Sequence, residues 1–435
     1  MLQRAITLAG ALAGLALLTG SGFAQEAAPT RIIHAGRLLA DPATGRVLAE
    51  QSIIVGPDGR IAGIEAGYVT RDGVEIIDQR NRFVLPGLID SHVHLTSELG
   101  PDQLINEVTL TEADAALRGA QNARITLNAG FTTVADLGAP NDSIFALRRA
   151  IAEGRVPGPR IIASGSAVTP DGGHGDVAGF SPAVNDALRS PSACSGADAC
   201  RRAVRRQIQA GADIIKITAT GGVLSNTAAG VEQQFSDAEL QAIVEAAHAM
   251  GRRVTAHAHG AGGINAALRA GVDSIEHGSY TDQESLSLFR RNRAYLVPTI
   301  LAGVTVEEMA ARGGVLTPAQ ADKAREVGTR MRQSIQNARR AGVRVAFGTD
   351  TGVSRHGLNA REFQFLVEGG YTPTQAIRLA TVDAADHLQL NGVAGRIAPG
   401  YSADIIAVDG DPTQDVETLM SVRFVMARGV TAKDE

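Results

Sequence analysis

Five separated apolar runs in this chain end in side chains able to bind a divalent cation or to move a proton. They are Asp90-Ser91-His92-Val93-His94, Ile214-Ile215-Lys216, Val254-Thr255-Ala256-His257, Ser274-Ile275-Glu276-His277 and Phe347-Gly348-Thr349-Asp350. Imidazole nitrogens and carboxylate oxygens are ligands for zinc-like metals, and such a metal makes water nucleophilic at neutral pH. A strand sends residues i and i+2 to one face, so His92 and His94 can approach a single cation. His257 and His259 repeat that spacing. An aspartate beside an activated water, such as Asp350, can take its proton and pass it to a leaving nitrogen. Taken singly, these residues have ordinary uses as core histidines, a solvent-facing lysine and a turn aspartate beside glycine. Their shared place at strand ends distinguishes them, because such ends converge when the strands close into a barrel.

The elements needed for that convergence are legible. Eight strand-like runs, at 84–93, 131–137, 160–164, 213–219, 253–258, 274–277, 295–299 and 344–350, alternate with helical patterns such as 237–250, 263–270 and 319–341. Regular alternation of this kind predicts an α/β fold, here a (β/α)8 TIM-like barrel. Gly130, Gly251 and Gly342 stand just ahead of strands, where helix C-caps fall. The chain ends differ from this middle. Runs at 31–33, 52–55, 403–408 and 422–425, with a Pro57-Asp58-Gly59-Arg60 turn, predict a small β-sandwich formed from both ends. The expected organisation is a signal peptide over 1–24, the N-terminal part of the β-sandwich over 25–83, the barrel over 84–394 and the C-terminal part of the sandwich over 395–435.

Composition narrows the function further. With 435 residues, 44% of them hydrophobic, the chain can bury a large core. A formal charge of -5 without a basic run argues against a nucleic-acid partner. Arg4, the apolar stretch 5–18 and the small residues around Gly22-Phe23-Ala24 have the layout of a secretory signal. The expected location is therefore exported, periplasmic or secreted, with no stable membrane insertion after cleavage and with an uncleaved N-terminal anchor as the alternative. Cys194 and Cys200 are the two cysteines. In an oxidising compartment such a pair points to a local disulfide, with two free surface thiols as the alternative.

The run Pro86-Gly87-Leu88-Ile89-Asp90-Ser91-His92-Val93-His94, the lysine strand leading to Thr220-Gly221-Gly222, His257-Ala258-His259-Gly260, Glu276-His277-Gly278 and Gly348-Thr349-Asp350 together resemble the amidohydrolase superfamily. They are similar in particular to its binuclear, carboxylated-lysine type. The likeness extends to an Xaa-Pro dipeptidase- and carboxypeptidase-like branch that includes amidohydrolases splitting ochratoxin A. The resemblance implies two divalent metal ions held by His92, His94, Lys216, His257, His277 and Asp350, with zinc suited to those ligands. It implies that CO2 or bicarbonate converts Lys216 to N6-carboxylysine, that Asp350 is catalytic, and that His259 supports its neighbours. Substrate contacts are expected from His174 in the glycine-rich loop 171–176, Tyr280, Arg355 and His356, with the loop from Gly222 to Asn226 beside them. The implied function is a metal-dependent amidohydrolase that cleaves dipeptides or N-acyl amino acids bearing a free carboxylate, ochratoxin A included. The partner is a small molecule or dipeptide, and a homo-oligomer is compatible with the sequence. Two other readings stand beside it. A cyclic-amide hydrolase or deaminase of imidazolonepropionase type would open a ring or release ammonia. A non-catalytic metal or peptide binder would leave every substrate unchanged.

Overall fold

Residues 30–177, 179–225 and 230–435 are described in the computed structural model. The expected signal segment 1–24 and Asn226 lie outside the described residues. Among the described residues, no helix is long and apolar enough to cross a membrane.

Apolar strands alternating with amphipathic helices produce two parallel groups of strands. Leu88–Val93, Phe131–Asp136 and Arg160–Ala163 form one; Ile215–Thr218, Val254–Ala258, Ser274–His277, Tyr295–Val297 and Arg344–Val345 form the other. Backbone hydrogen bonds close both seams between them. Asp213 N donates to Ala163 O at 2.8 Å, and Val168 N donates to Lys216 O at 2.9 Å. On the other side Ser91 N donates to Phe347 O at 2.9 Å and Asp350 N to His92 O at 2.7 Å. The eight strands thereby make a (β/α)8 barrel, buried on both faces as parallel strands usually are. Helix ends follow their caps. Ser236 with Glu239 and Thr317 with Gln320 form capping boxes, and Gly211, Gly271 and Gly342 end helices in the left-handed conformation.

The run 84–93 is divided at Gly87. Residues up to Pro86 pair with Ile405–Val408 in a seven-stranded sheet, whereas Leu88–Val93 joins the barrel. A Cβ at position 87 would stand 2.1 Å from Thr132 Oγ1, so the chain passes between the two layers only as glycine. The seven-stranded sheet draws strands from both chain ends, in the order Val430–Asp434, Val422–Ala427, Ile405–Val408, Glu75–Pro86, Arg31–Leu38, Leu48–Val55, Ile61–Ala66. Ile61 N donates to Tyr401 O at 2.8 Å and Ala403 N to Gly59 O at 2.9 Å. These bonds fold the sheet over its own apolar core, which includes Ile33, Ile53, Ile405 and Phe424.

Two additions surround the barrel mouth. A strap after the third barrel strand pairs Thr169–Pro170 with Ala193–Cys194 and carries a disulfide between Cys194 and Cys200, whose Cα atoms are 5.1 Å apart. A helical pair, Ile300–Arg312 and Pro318–Ala341, is inserted before the last strand.

The seam between the first and last strands centres on the buried Asp90 carboxylate. It accepts hydrogen bonds from Thr349 Oγ1 at 2.6 Å, Asn359 Nδ2 at 2.8 Å, and the backbone N–H groups of His92 and Thr349 at 3.1 Å each. Burial pushes its pKa up to about 7, while these donors pull it back toward the ionised form. Replacing Asp90 by Ala strands several buried donors, and the expected cost is ~2–4 kcal/mol by chemical denaturation. Amide exchange should accelerate first at His92 and Thr349. Unchanged protection there would mean that Asp90 does not hold the seam.

Candidate metal centre

Strand ends from across the barrel place their side chains around one point. His92 lies in Leu88–Val93 with His94 just beyond it; Lys216, His257 and His277 lie in the strands Ile215–Thr218, Val254–Ala258 and Ser274–His277; Asp350 follows Arg344–Val345. The ligating atoms of His92, His94 and Asp350 lie within 4.8 Å of one another, as do those of His257, His259 and His277. The His92 and His277 rings are 5.3 Å apart, so the two groups adjoin. Lys216 lines the same cavity, with its Nζ 3.3 Å from His92 Nε2.

Hydrogen bonds fix which ring nitrogens carry protons. His92 Nδ1 donates to Glu276 Oε2 at 2.8 Å, and His94 Nδ1 donates to Gly138 O at 2.8 Å. The Thr299 hydroxyl donates to Pro298 O and therefore accepts from His277 Nδ1 at 2.6 Å. A neutral ring so bonded presents an Nε2 lone pair to the centre; at His94 burial favours that neutral form, but the Asp350 carboxylate outweighs it and raises the pKa. His94 Nε2 and His92 Nε2 face the buried Asp350 Oδ1 at 3.1 and 3.5 Å. Lone pairs converging on a carboxylate repel one another unless a cation lies among them. The donor set therefore fits a divalent metal.

Burial reinforces this chemistry. It holds the pKa values of His92, His257 and His277 well below the usual imidazole value and depresses that of Lys216. Burial alone would raise Asp350, but His92, His94 and Lys216 outweigh it and hold the carboxylate at about 2. The backbone is strained here as well. His277, Thr299 and Asp350 have φ values of 70°, 49° and 56°, a left-handed region costly for residues with a side chain.

Glu276 was not singled out as a site residue in the sequence. It is completely buried, and besides His92 it accepts hydrogen bonds from Thr255 Oγ1 and, at 3.3 Å, Ser274 Oγ. It fixes the His92 tautomer and the direction of the lone pair. Glu276 lies two residues from Ser274 and so shares its face of the strand. His259, expected only to support its neighbours, has a ligating nitrogen grouped with those of His257 and His277, and its Nδ1 lies 2.7 Å from Ser279 Oγ.

A cavity of ≈ 410 Å³ opens on the cluster and is lined by His92, His94, His174, Lys216, His257, His259, His277 and Asp350, with apolar residues making up much of the rest. His174 is half-buried with its ring 4.1 Å from that of His257, and burial lowers its pKa to about 4. Tyr280, Arg355 and His356 do not line this cavity. Tyr280 packs beneath Arg330 and bonds Glu326, and burial with that bond raises its pKa to about 12. Arg355 points to solvent. His356 is buried behind the first strand, with Nε2 donating to Ser97 O at 3.2 Å.

Residues 83–432 match the model of the Amidohydrolase family. The chain belongs to the amidohydrolase family. Ochratoxinase of Aspergillus niger is 32% identical over 92% of this chain and 85% of the relative. Among solved structures, a Xaa-Pro dipeptidase with methionine bound in its active site is 37% identical, with a TM-score of 0.87 over 92% of this chain and 99% of the other. A prolidase complexed with N-methylphosphonate-L-proline is 32% identical, with a TM-score of 0.83 over 93% and 100%. This amidohydrolase is accordingly a hydrolase of amide bonds, and its convergent donors occupy the strand ends where barrel enzymes place their chemistry.

Glu276→Gln should weaken metal binding by about 10–100-fold in a competitive chelator titration, because the His92 ring loses its anionic anchor. Unaltered affinity would show that Glu276 serves packing alone.

Proposed function

We propose that this amidohydrolase cleaves the amide bond of dipeptides or N-acyl amino acids bearing a free carboxylate, ochratoxin A among them. The proposal includes two divalent cations, zinc foremost, and N6-carboxylation of Lys216. The observation that carries it is the convergence of four histidine rings, a buried lysine and Asp350 on one cavity of small-molecule size. The names of the ochratoxinase, dipeptidase and prolidase relatives support the substrate class.

Each residue has a definable task. His92, His94, His257 and His277 hold the cations through ring lone pairs, and His259 is placed to join them. The depressed pKa of buried Lys216 leaves more of it as free amine. Its nitrogen adds to the carbon of CO2 and loses a proton, giving a carbamate whose oxygens can ligate metal. When bound, the cations supply an acidified water and a Lewis acid for the scissile carbonyl. Asp350 accepts the proton of the attacking water on a carboxylate oxygen and returns it to the departing nitrogen. His174, beside His257 at the cavity wall, is positioned to meet the substrate carboxylate. No arginine is among the described residues lining that cavity.

Export, to the periplasm or the medium, is part of the proposal. Arg4 with the following apolar stretch supports it, and the Cys194–Cys200 disulfide suits an oxidising compartment. N-terminal sequencing of protein recovered outside the cytoplasm should begin near residue 25; intact, cytoplasmic protein overturns this part.

Metal- and bicarbonate-loaded enzyme should release free amino acids from a mixed pool of dipeptides, N-acyl amino acids and ochratoxin A, followed by mass spectrometry. Asp350→Asn tolerates the left-handed backbone and should fold, yet turnover should fall by at least ~100-fold. Ring opening without a second product, or ammonia release, would move the chemistry to cyclic amides or deamination. With 13C-bicarbonate, a carbamate carbon signal should appear in wild type and vanish in Lys216→Arg. A signal indifferent to that change excludes carboxylation at Lys216.

A further inference from the structure

The cavity is polar at the ligand cluster and apolar elsewhere. Its apolar arm is lined by Val223 and Leu224 from the loop after Ile215–Thr218, and by Gly303, Val306, Val327 and Met331 from the inserted helical pair. Val327 and Met331 are four apart and share one helix face. Both are buried with Val223 and Val306 in a small apolar cluster.

That arm is tied to the metal centre. Thr299, which begins the first inserted helix, accepts from His277 Nδ1, and Ser334 of the second donates to Gly278 O at 2.6 Å. The second helix also latches the loop. Gln320 Nε2 donates to Leu224 O at 2.6 Å, and Lys323 Nζ donates to Gly222 O at 3.0 Å and Ser225 O at 2.6 Å.

The two inserted helices approach closely at a pair of glycines. A Cβ on Gly303 would stand 3.5 Å from Gly328 Cα and 2.7 Å from Met331 Sδ. A Cβ on Gly328 would stand 2.0 Å from Glu307 Oε1, and Arg332 holds Glu307 at 2.7 Å. The contact therefore leaves no room for a side chain at either glycine, and at Gly303 the flexible thioether of Met331 is the part able to yield.

Resting on the amide-hydrolase reading above, we propose that this arm receives a large uncharged apolar group of the substrate and that the Gly303–Met331 contact sets its depth. A charged group would find no partner on those walls, and its desolvation would go uncompensated. Gly303→Ala pushes Met331 into the arm and shortens it; Met331→Ala lengthens it. The apolar group is either the amino-acid side chain or the acyl half, and two substrate series distinguish them. One runs from N-acetylglycine through the alanine and leucine derivatives to phenylalanine; the other runs from acetyl- to octanoylglycine.

In wild type, kcat/KM should rise with apolar size along one series. Gly303→Ala should lower it for the largest member by on the order of tenfold while sparing N-acetylglycine, and Met331→Ala should extend the accepted size. Binding of the same compounds to metal-free protein, read by calorimetry, should follow the same order without any turnover. Affinity independent of size, or variants that scale every compound alike, overturns the arm. Size-graded binding with no hydrolysis of either series supports the arm and overturns the amide-hydrolase reading instead.

Discussion

Asp90 joins the two strands on which the centre depends. Its carboxylate takes donors from the first strand at His92 and from the last at Thr349, with Asn359 completing the set. Without that closure His92 and His94 would sit on one edge of an open sheet and Asp350 on the far edge. With it, Asp350 N donates to His92 O, and the three side chains meet above the seam. The order of strands in the chain thus becomes a ring in space. Ligands more than 250 residues apart become neighbours without any long loop carrying them.

The same architecture makes the centre costly when it is apart from a cation. Imidazoles of buried His92 and His277 and half-buried His94, with Nδ1 protons committed to Glu276, Thr299 and Gly138, turn their other nitrogens toward the centre and Asp350. Left-handed backbone at His277, Thr299 and Asp350 adds strain at the same place. Residues in the surrounding barrel are packed tightly enough to hold this arrangement, and metal binding would return the free energy as affinity. Fold stability and site chemistry are coupled through the same few strand ends.

Much of this was legible in the sequence because strand ends are. An apolar run closing on His, Lys or Asp reports both the strand and the direction of its last side chains, and all six expected ligands do converge. Spatial neighbours that are not sequence neighbours were harder. Tyr280, Arg355 and His356 lie close along the chain to His277 and Asp350, yet none of the three lines the cavity. Glu276 was hidden in the other direction, as a carboxylate inside an apolar strand whose partner His92 is 184 residues away. Met331 and Val327 look like an ordinary helical core stripe; only the cavity they line reveals them as a wall. The split at Gly87 required knowing that Thr132 stands beside it.

The converging ring nitrogens and Asp350 constitute a cation site. Anomalous diffraction from crystals grown with zinc tests it most directly. A metal peak is expected among His92, His94 and Asp350, with a second at the adjoining His257 and His277 group. A centre free of metal at saturating zinc, with His92 or His94 rotated or protonated to hydrogen-bond Asp350, would contradict it.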